Sequence, residues 1–139
     1  MRKPFIFANW KMHKTVQESV AFVKAIKDHL PDPKKVEVGI AGQALALYSM
    51  HEAAGRSGFR IIAQNDAPQL SGPFTEEISM RGLNQARVSH VMLGHIERRR
   101  LFNERMRLFI RRLKPGVTPI VCTDETMIQR EMNGEIHYV

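Results

Sequence analysis

The chain has 139 residues, enough for one hydrophobic core in a single domain, with roughly two-thirds of the unfolded surface available for burial. A composition of 43% hydrophobic and 25% charged residues excludes wholesale disorder, and no apolar run approaches the roughly 18 residues of a membrane span. The excess of 21 Lys+Arg over 14 Asp+Glu, a net +7, leaves nucleic acid, acidic protein and phosphorylated substrates open as partners.

Strand-like and helix-like runs alternate along the chain, the pattern of βα units on a parallel sheet. The first strand is "PFIFANW", residues 4–10. Thr15 and Glu18 then have the spacing of a capping box, and Val16, Val20, Val23, Ile26 and Leu30 form an approximate helical stripe that stops at "LPDP". The second strand is "VEVGIA" (36–41), followed by a helix-compatible stretch (45–55) with Gly55 as its C-terminal cap. "FRIIAQN" (59–65) is the third strand. From Asp66 to Ser79 turn formers are too frequent for a regular element, and the length marks a functional loop.

A short helix (80–86) leads to the fourth strand, "SHVMLG" (89–94). Met106, Phe109, Ile110 and Leu113 form the apolar stripe of a helix within 103–116, with Arg105, Arg107, Arg111 and Arg112 largely off it. "TPIVC" (118–122) is the fifth strand, and the final residues begin a helix interrupted at Asn133-Gly134. Five parallel strands are too few to close an eight-stranded barrel, so "TPIVC" is left as an apolar edge. No signal-peptide pattern opens the chain, and a cytoplasmic location is expected. Cys122 is the single cysteine, which excludes an intramolecular disulfide and reads as a buried structural thiol.

In βα architectures chemistry collects at the carboxyl ends of the strands. Asn9 and Lys11 stand there after the first strand, Gly42 and Gln43 after the second, Gln64 and Asn65 after the third. His95, Glu97 and Arg98 follow the fourth, and Thr123, Asp124 and Glu125 the fifth. A lysine and a histidine on one rim suit chemistry that builds negative charge on a carbonyl oxygen, through an imidazole hydrogen bond and an ammonium beside the developing enediolate. Taken singly, His95 reads as a satisfied strand-end side chain and Lys11 as a solvated cation. His13, His29, His51, His90, His95 and His137 show no metal-ligand spacing, so no metal is expected. The arginines from 98 to 112 lack interleaved aromatics and read as a solvated helix face, so neither nucleic acid nor membrane is expected as a partner.

Five ordered stretches, "ANWKMHKT", "AQN", "SGPFTEEIS", "LGHIERRRLFNE" and "TPIVC" with "ET" two residues on, resemble the triosephosphate isomerase family across essentially the whole chain. The resemblance implies an α/β fold of the TIM (β/α)8-barrel type, present as an incomplete barrel of about five strands, and a homodimer or other self-association. It also implies interconversion of dihydroxyacetone phosphate and glyceraldehyde 3-phosphate, a step of glycolysis and gluconeogenesis, without cofactor. By motif, Asn9 is similar to the family's substrate-contacting asparagine, Lys11 to its catalytic lysine, and His95 to the histidine that polarises the carbonyl. The family is itself the standard example of a histidine kept neutral by a helix N-terminus. Glu97 resembles the glutamate beside that lysine; otherwise it reads as a helix-start acidic residue. Thr75 matches the tip of the loop that enters the partner subunit.

Departures from the family pattern are concentrated at a few positions. Ile96 replaces a serine, Glu76 and Asp124 replace glycines, and Gly42-Gln43 replace a typical Pro-Pro. The family's general base and phosphate loops follow the sixth to eighth strands and have no counterpart in these 139 residues, against roughly 250 for a typical barrel. By itself the chain is expected to be a poor catalyst. Two other readings stay open: a paralogue acting on a four-carbon sugar phosphate, suggested by Ile96, and an inactive, self-associating barrel fragment.

Overall fold

A computed structural model describes residues 2–104 and 117–123. Five strands, β1 (Phe5–Asn9), β2 (Glu37–Gly42), β3 (Arg60–Ala63), β4 (His90–Leu93) and β5 (Thr118–Val121), form one sheet in the order β1-β2-β3-β4-β5, with every neighbouring pair parallel. Four helices are described: α1 (Val16–Ile26), α2 (Leu47–Ala54), α3 (Met80–Gln85) and α4 (Ile96–Phe102). Strict sequential order is what repeated crossovers of one hand produce, and the sheet curls into a half-barrel with the helices outside it. This is the incomplete TIM barrel expected from the sequence.

The two faces of the sheet bury different residues, because side chains alternate along each strand. Outward residues, among them Ile40, Ile61, Val91 and Leu93, pack with Val23 of α1, Leu47 and Met50 of α2 and Leu83 of α3. Inward residues form a second cluster of Ala41, Ile62 and Met92, joined by the partly buried Phe5, Phe7, Ile120 and Cys122. Cys122 is therefore half-buried on the concave face rather than fully enclosed. Gly39 lies on that face too, where an added Cβ would sit 2.8 Å from the Arg60 carbonyl oxygen of β3. The obstacle is backbone, which cannot move aside cheaply.

Local signals explain most element boundaries. The Thr15 side chain caps α1 through the Glu18 N–H, while Glu18 accepts from the Thr15 N–H at 2.7 Å, completing the box. The buried line of α1 runs through Ser19 and Val23, with Val16 left exposed, so the expected stripe is rotated by about one position. Ser19 is buried with its polar group satisfied, because its hydroxyl donates to the Thr15 carbonyl at 2.8 Å. Gly55 ends α2 at φ 55°, as its expected capping role requires. The 66–79 segment is irregular, tied at its ends by an isolated bridge between Ala67 and Ser79.

One helix differs from expectation. α4 starts directly after His95 and ends at Asn103, whose left-handed conformation (φ 53°) closes it. Its seven residues carry no apolar stripe, which is why periodicity alone passes over them. The expected helix around Met106, Phe109, Ile110 and Leu113 and the terminal helix lie outside the described residues.

At the sheet's margins, Ile6 of β1 is 63% exposed on the outward face. β5 forms the opposite margin and holds Pro119, a residue suited to a strand edge because it has no N–H to donate.

Candidate active site

The carboxyl ends of β1 and β4 bring three side chains together. Asn9 is the last residue of β1, and its Oδ1 accepts the Lys11 backbone N–H at 2.8 Å. Lys11 itself has φ 53°, a left-handed conformation that costs a residue with a Cβ roughly 1–2 kcal/mol. Across the rim, β4 ends at Leu93 and turns through Gly94 at φ 77°, placing His95 as the N-cap of α4 and Glu97 in its first turn. The Lys11 ammonium donates to Glu97 Oε1, and the other carboxylate oxygen lies 3.0 Å from His95 Nδ1. Lys11 thus reaches a carboxylate 86 positions away in sequence, and His95 shares it.

The electrostatics favour orientation over stability. Lys11 and Glu97 side chains are 50% and 44% exposed, so their pairing is worth at most about 1 kcal/mol after solvent screening. The Lys11 hydrogen bond holds the Glu97 carboxyl below its ordinary range; desolvation opposes this, and the charges of His95 and Lys11 reinforce it. Glu97 consequently stays a carboxylate at neutral pH and fixes the ammonium.

His95 Nδ1 has two claims on it. The Glu97 backbone N–H lies 3.4 Å away as a donor, while Glu97 Oε2 at 3.0 Å would accept a proton from the same nitrogen. Both cannot operate at once. With Nδ1 as acceptor, the neutral ring carries its proton on Nε2 and keeps a donor for a carbonyl oxygen. With Nδ1 as donor to the carboxylate, a neutral ring has no second N–H.

Two further polar side chains, to which the sequence reading assigned no role, belong to the rim. Gln64, directly after β3, donates Nε2 to the Lys11 carbonyl at 2.7 Å and to the Ala41 carbonyl at 3.0 Å. Gln43, after β2, donates to the carbonyls of His13 at 3.3 Å and Lys14 at 3.1 Å. Their strand-end positions were legible in the sequence; their roles were not. Their carbonyl partners depend on loop geometry that spacing does not encode.

Thr75 lies elsewhere, exposed on the 66–79 segment beside Glu76, which adopts φ 71°. It takes no part in the Lys11–Glu97–His95 network. Ile96 is the first residue of α4 and is partly buried. Asp124 and Glu125 lie outside the described residues.

A sequence model described as triosephosphate isomerase matches residues 4–139. The chain belongs to the triosephosphate isomerase family. Among relatives bearing that name, the protein of Lactiplantibacillus plantarum is 44% identical over 135 residues, covering 94% of this chain and 54% of the relative. That of Lactobacillus gasseri is 39% identical over 143 residues, covering all of this chain and 57% of the relative. A relative from Clostridium acetobutylicum is 39% identical over 137 residues, with coverages of 96% and 55%. The chain spans a little over half the length of these triosephosphate isomerases, and the match begins near its own N-terminus.

Proposed function

We propose that these residues form the electrophilic half of a triosephosphate isomerase site, serving the interconversion of dihydroxyacetone phosphate and glyceraldehyde 3-phosphate through an enediolate. The observation that carries the reading is the Lys11–Glu97–His95 chain at the strand ends. Glu97 holds the ammonium beside the imidazole. In this reading the ammonium and the His95 Nε2–H both meet the substrate carbonyl oxygen, where negative charge develops as the neighbouring carbon loses its proton. Asn9 contacts substrate and, through its bond to the Lys11 N–H, shapes the loop that carries the lysine. The base that removes the proton belongs to sequence outside these 139 residues. No cofactor is required, and the reaction is a cytoplasmic one.

Turnover on both triose phosphates tests this. The 139-residue chain should fall at least about 10²- to 10⁴-fold below a complete enzyme, as loss of a general base dictates. Fused to the C-terminal half of the Lactiplantibacillus plantarum relative, it should gain turnover, and Lys11→Ala in the fusion should lower kcat by about 10²- to 10³-fold. A folded fusion indifferent to Lys11→Ala would rule the reading out. Ile96, next to His95, supports a second reading in which the substrate is a four-carbon sugar phosphate. A kcat/KM of the fusion higher on four-carbon than on three-carbon substrates would favour it.

We further propose that the chain forms a homodimer in which the loop around Thr75 enters a neighbour. A groove of about 310 Å³ lined by Met12, Thr15, Val16, Gln43 and Leu45 supports this, since Met12 and Leu45 are 88% and 84% exposed around it. In sedimentation, Met12→Glu should shift the chain to lower mass. A wild-type chain sedimenting as a monomer at tens of micromolar would count against the dimer, and a mass unaffected by Met12→Glu would exclude this groove. If the chain associates but neither it nor the fusion turns over, the inactive barrel fragment is the reading that stands.

A further inference from the structure

The β1–α1 loop contains two lysines in the left-handed region, Lys11 at φ 53° and Lys14 at φ 71°. Neither residue type favours that backbone, because the Cβ crowds its own chain there. The His13 N–H closes a turn on the Trp10 carbonyl at 3.0 Å, and the carbonyls of Lys11, His13 and Lys14 are held from outside the loop, by the next two strand ends. The Gln64 amide spends its two protons on the Lys11 and Ala41 carbonyls, tying the lysine's peptide to the rim of β2. Asn9 Oδ1 holds the N–H of the same lysine. Both peptide groups flanking the Lys11 Cα are thus fixed by side chains, and the direction of its Cα–Cβ bond is set before the ammonium reaches Glu97.

We propose that Gln64 is a positioning residue for Lys11, locking the left-handed peptide that aims the ammonium at Glu97, and that Gln43 is a separate clamp on the same loop at His13 and Lys14. Gln43 stands where the family resemblance leads one to expect proline, which has no side-chain donor, so that expected pattern has no counterpart of this second clamp. Lys14 gains another hold from its own side chain, whose ammonium lies 5.3 Å from the Trp10 ring centre and 5.8 Å from that of Phe22. Loss of Gln43 therefore disturbs residues 13 and 14 and leaves the Lys11 peptide in place. Loss of Gln64 frees Lys11 itself.

The proposal rests on the isomerase reading for its functional meaning, but its test needs no turnover. Heteronuclear NMR of the 139-residue chain follows the Lys11 Cα shift, which reports the sign of φ, and the pH titration of the Glu97 carboxyl. Gln64→Met keeps side-chain length and removes the donor. It should move the Lys11 Cα shift away from its left-handed value and shift the Glu97 midpoint upward toward that of an ordinary glutamate. Gln43→Met should confine its shift changes to residues 13–15 and leave the Glu97 midpoint where it was. Gln64→Asn, which keeps the amide but withdraws it by one methylene, is the milder variant if Gln64→Met does not fold, and it should give the Gln64→Met result in weaker form. A folded Gln64 variant with Lys11 and Glu97 unmoved, or a Gln43 variant that moves them as far, overturns the proposal. If these shifts occur while the fusion shows no turnover, the isomerase reading fails and the clamp stands; turnover with no shifts is the reverse.

Discussion

Glu76 shows how far a single residue can be read from sequence. In "SGPFTEEIS" it replaces a glycine of the family pattern, the residue that takes a positive φ most readily, and the structure has Glu76 at φ 71°. Left-handed strain of roughly 1–2 kcal/mol then opposes the entropy of about 0.4–1 kcal/mol that glycine would add to the unfolded chain. Glu76→Gly should raise stability by a net of about 0.5 kcal/mol, and Glu76→Val should lower it, both measured as urea midpoints at constant slope. An unmoved or lowered midpoint for the glycine variant would show that this φ carries no strain. Lys11 is the contrasting case. Its motif marked it as functional, but no residue type in the loop announced φ 53°, which goes with the turn closed by the His13 N–H on the Trp10 carbonyl and with contacts from Asn9 and from Gln64, the latter 53 positions away.

Among the elements, α1 was legible because its start is a local event. Thr15 and Glu18 satisfy each other's backbone across one turn, so spacing alone predicts the box. Thr15→Ala should cost about 1 kcal/mol of unfolding free energy. The Glu18 carboxyl is held below its ordinary value, first by the Thr15 backbone N–H and then by the Thr15 hydroxyl. A carboxyl with a lowered native pKa stabilises fully above its unfolded pKa and loses that contribution as pH falls through the native one. The gap between wild type and Glu18→Gln should therefore narrow on acidification below about pH 4.3; a gap constant down to pH 2 would exclude the box as its source. α4 was not legible in the same way. Its start depends on His95 turning out of β4 through Gly94, and its end on the left-handed Asn103, two backbone events that leave no apolar period.

At the scale of the molecule, the alternation of strands and helices specified a parallel, sequentially ordered sheet, and the five strands lie within a residue or two of their expected bounds. What stayed hidden was the division of the concave face into levels. Near the amino ends of the strands, Glu37 accepts from Lys3 and lies 3.4 Å from Arg60, while the His90 ring sits 5.1 Å from that of Phe5. Burial holds the His90 pKa below its ordinary value, with Arg60 adding to the effect and Glu37 opposing it. A histidine with a lowered native pKa leaves the unfolded state with the greater proton affinity. Its stabilisation is complete above about pH 6.5 and is lost as pH falls through the native value. His90→Gln should flatten the stability profile across that window; a wild-type curve already flat there would exclude His90 as a source of acid sensitivity. The sequential pairing also bears on how the molecule comes into being. Each strand from β2 to β5 pairs with one already synthesised, so on a ribosome adding about 5–20 residues per second the sheet can grow one strand at a time in the order of translation. β1, first to emerge, keeps its outer edge open until the end of that process.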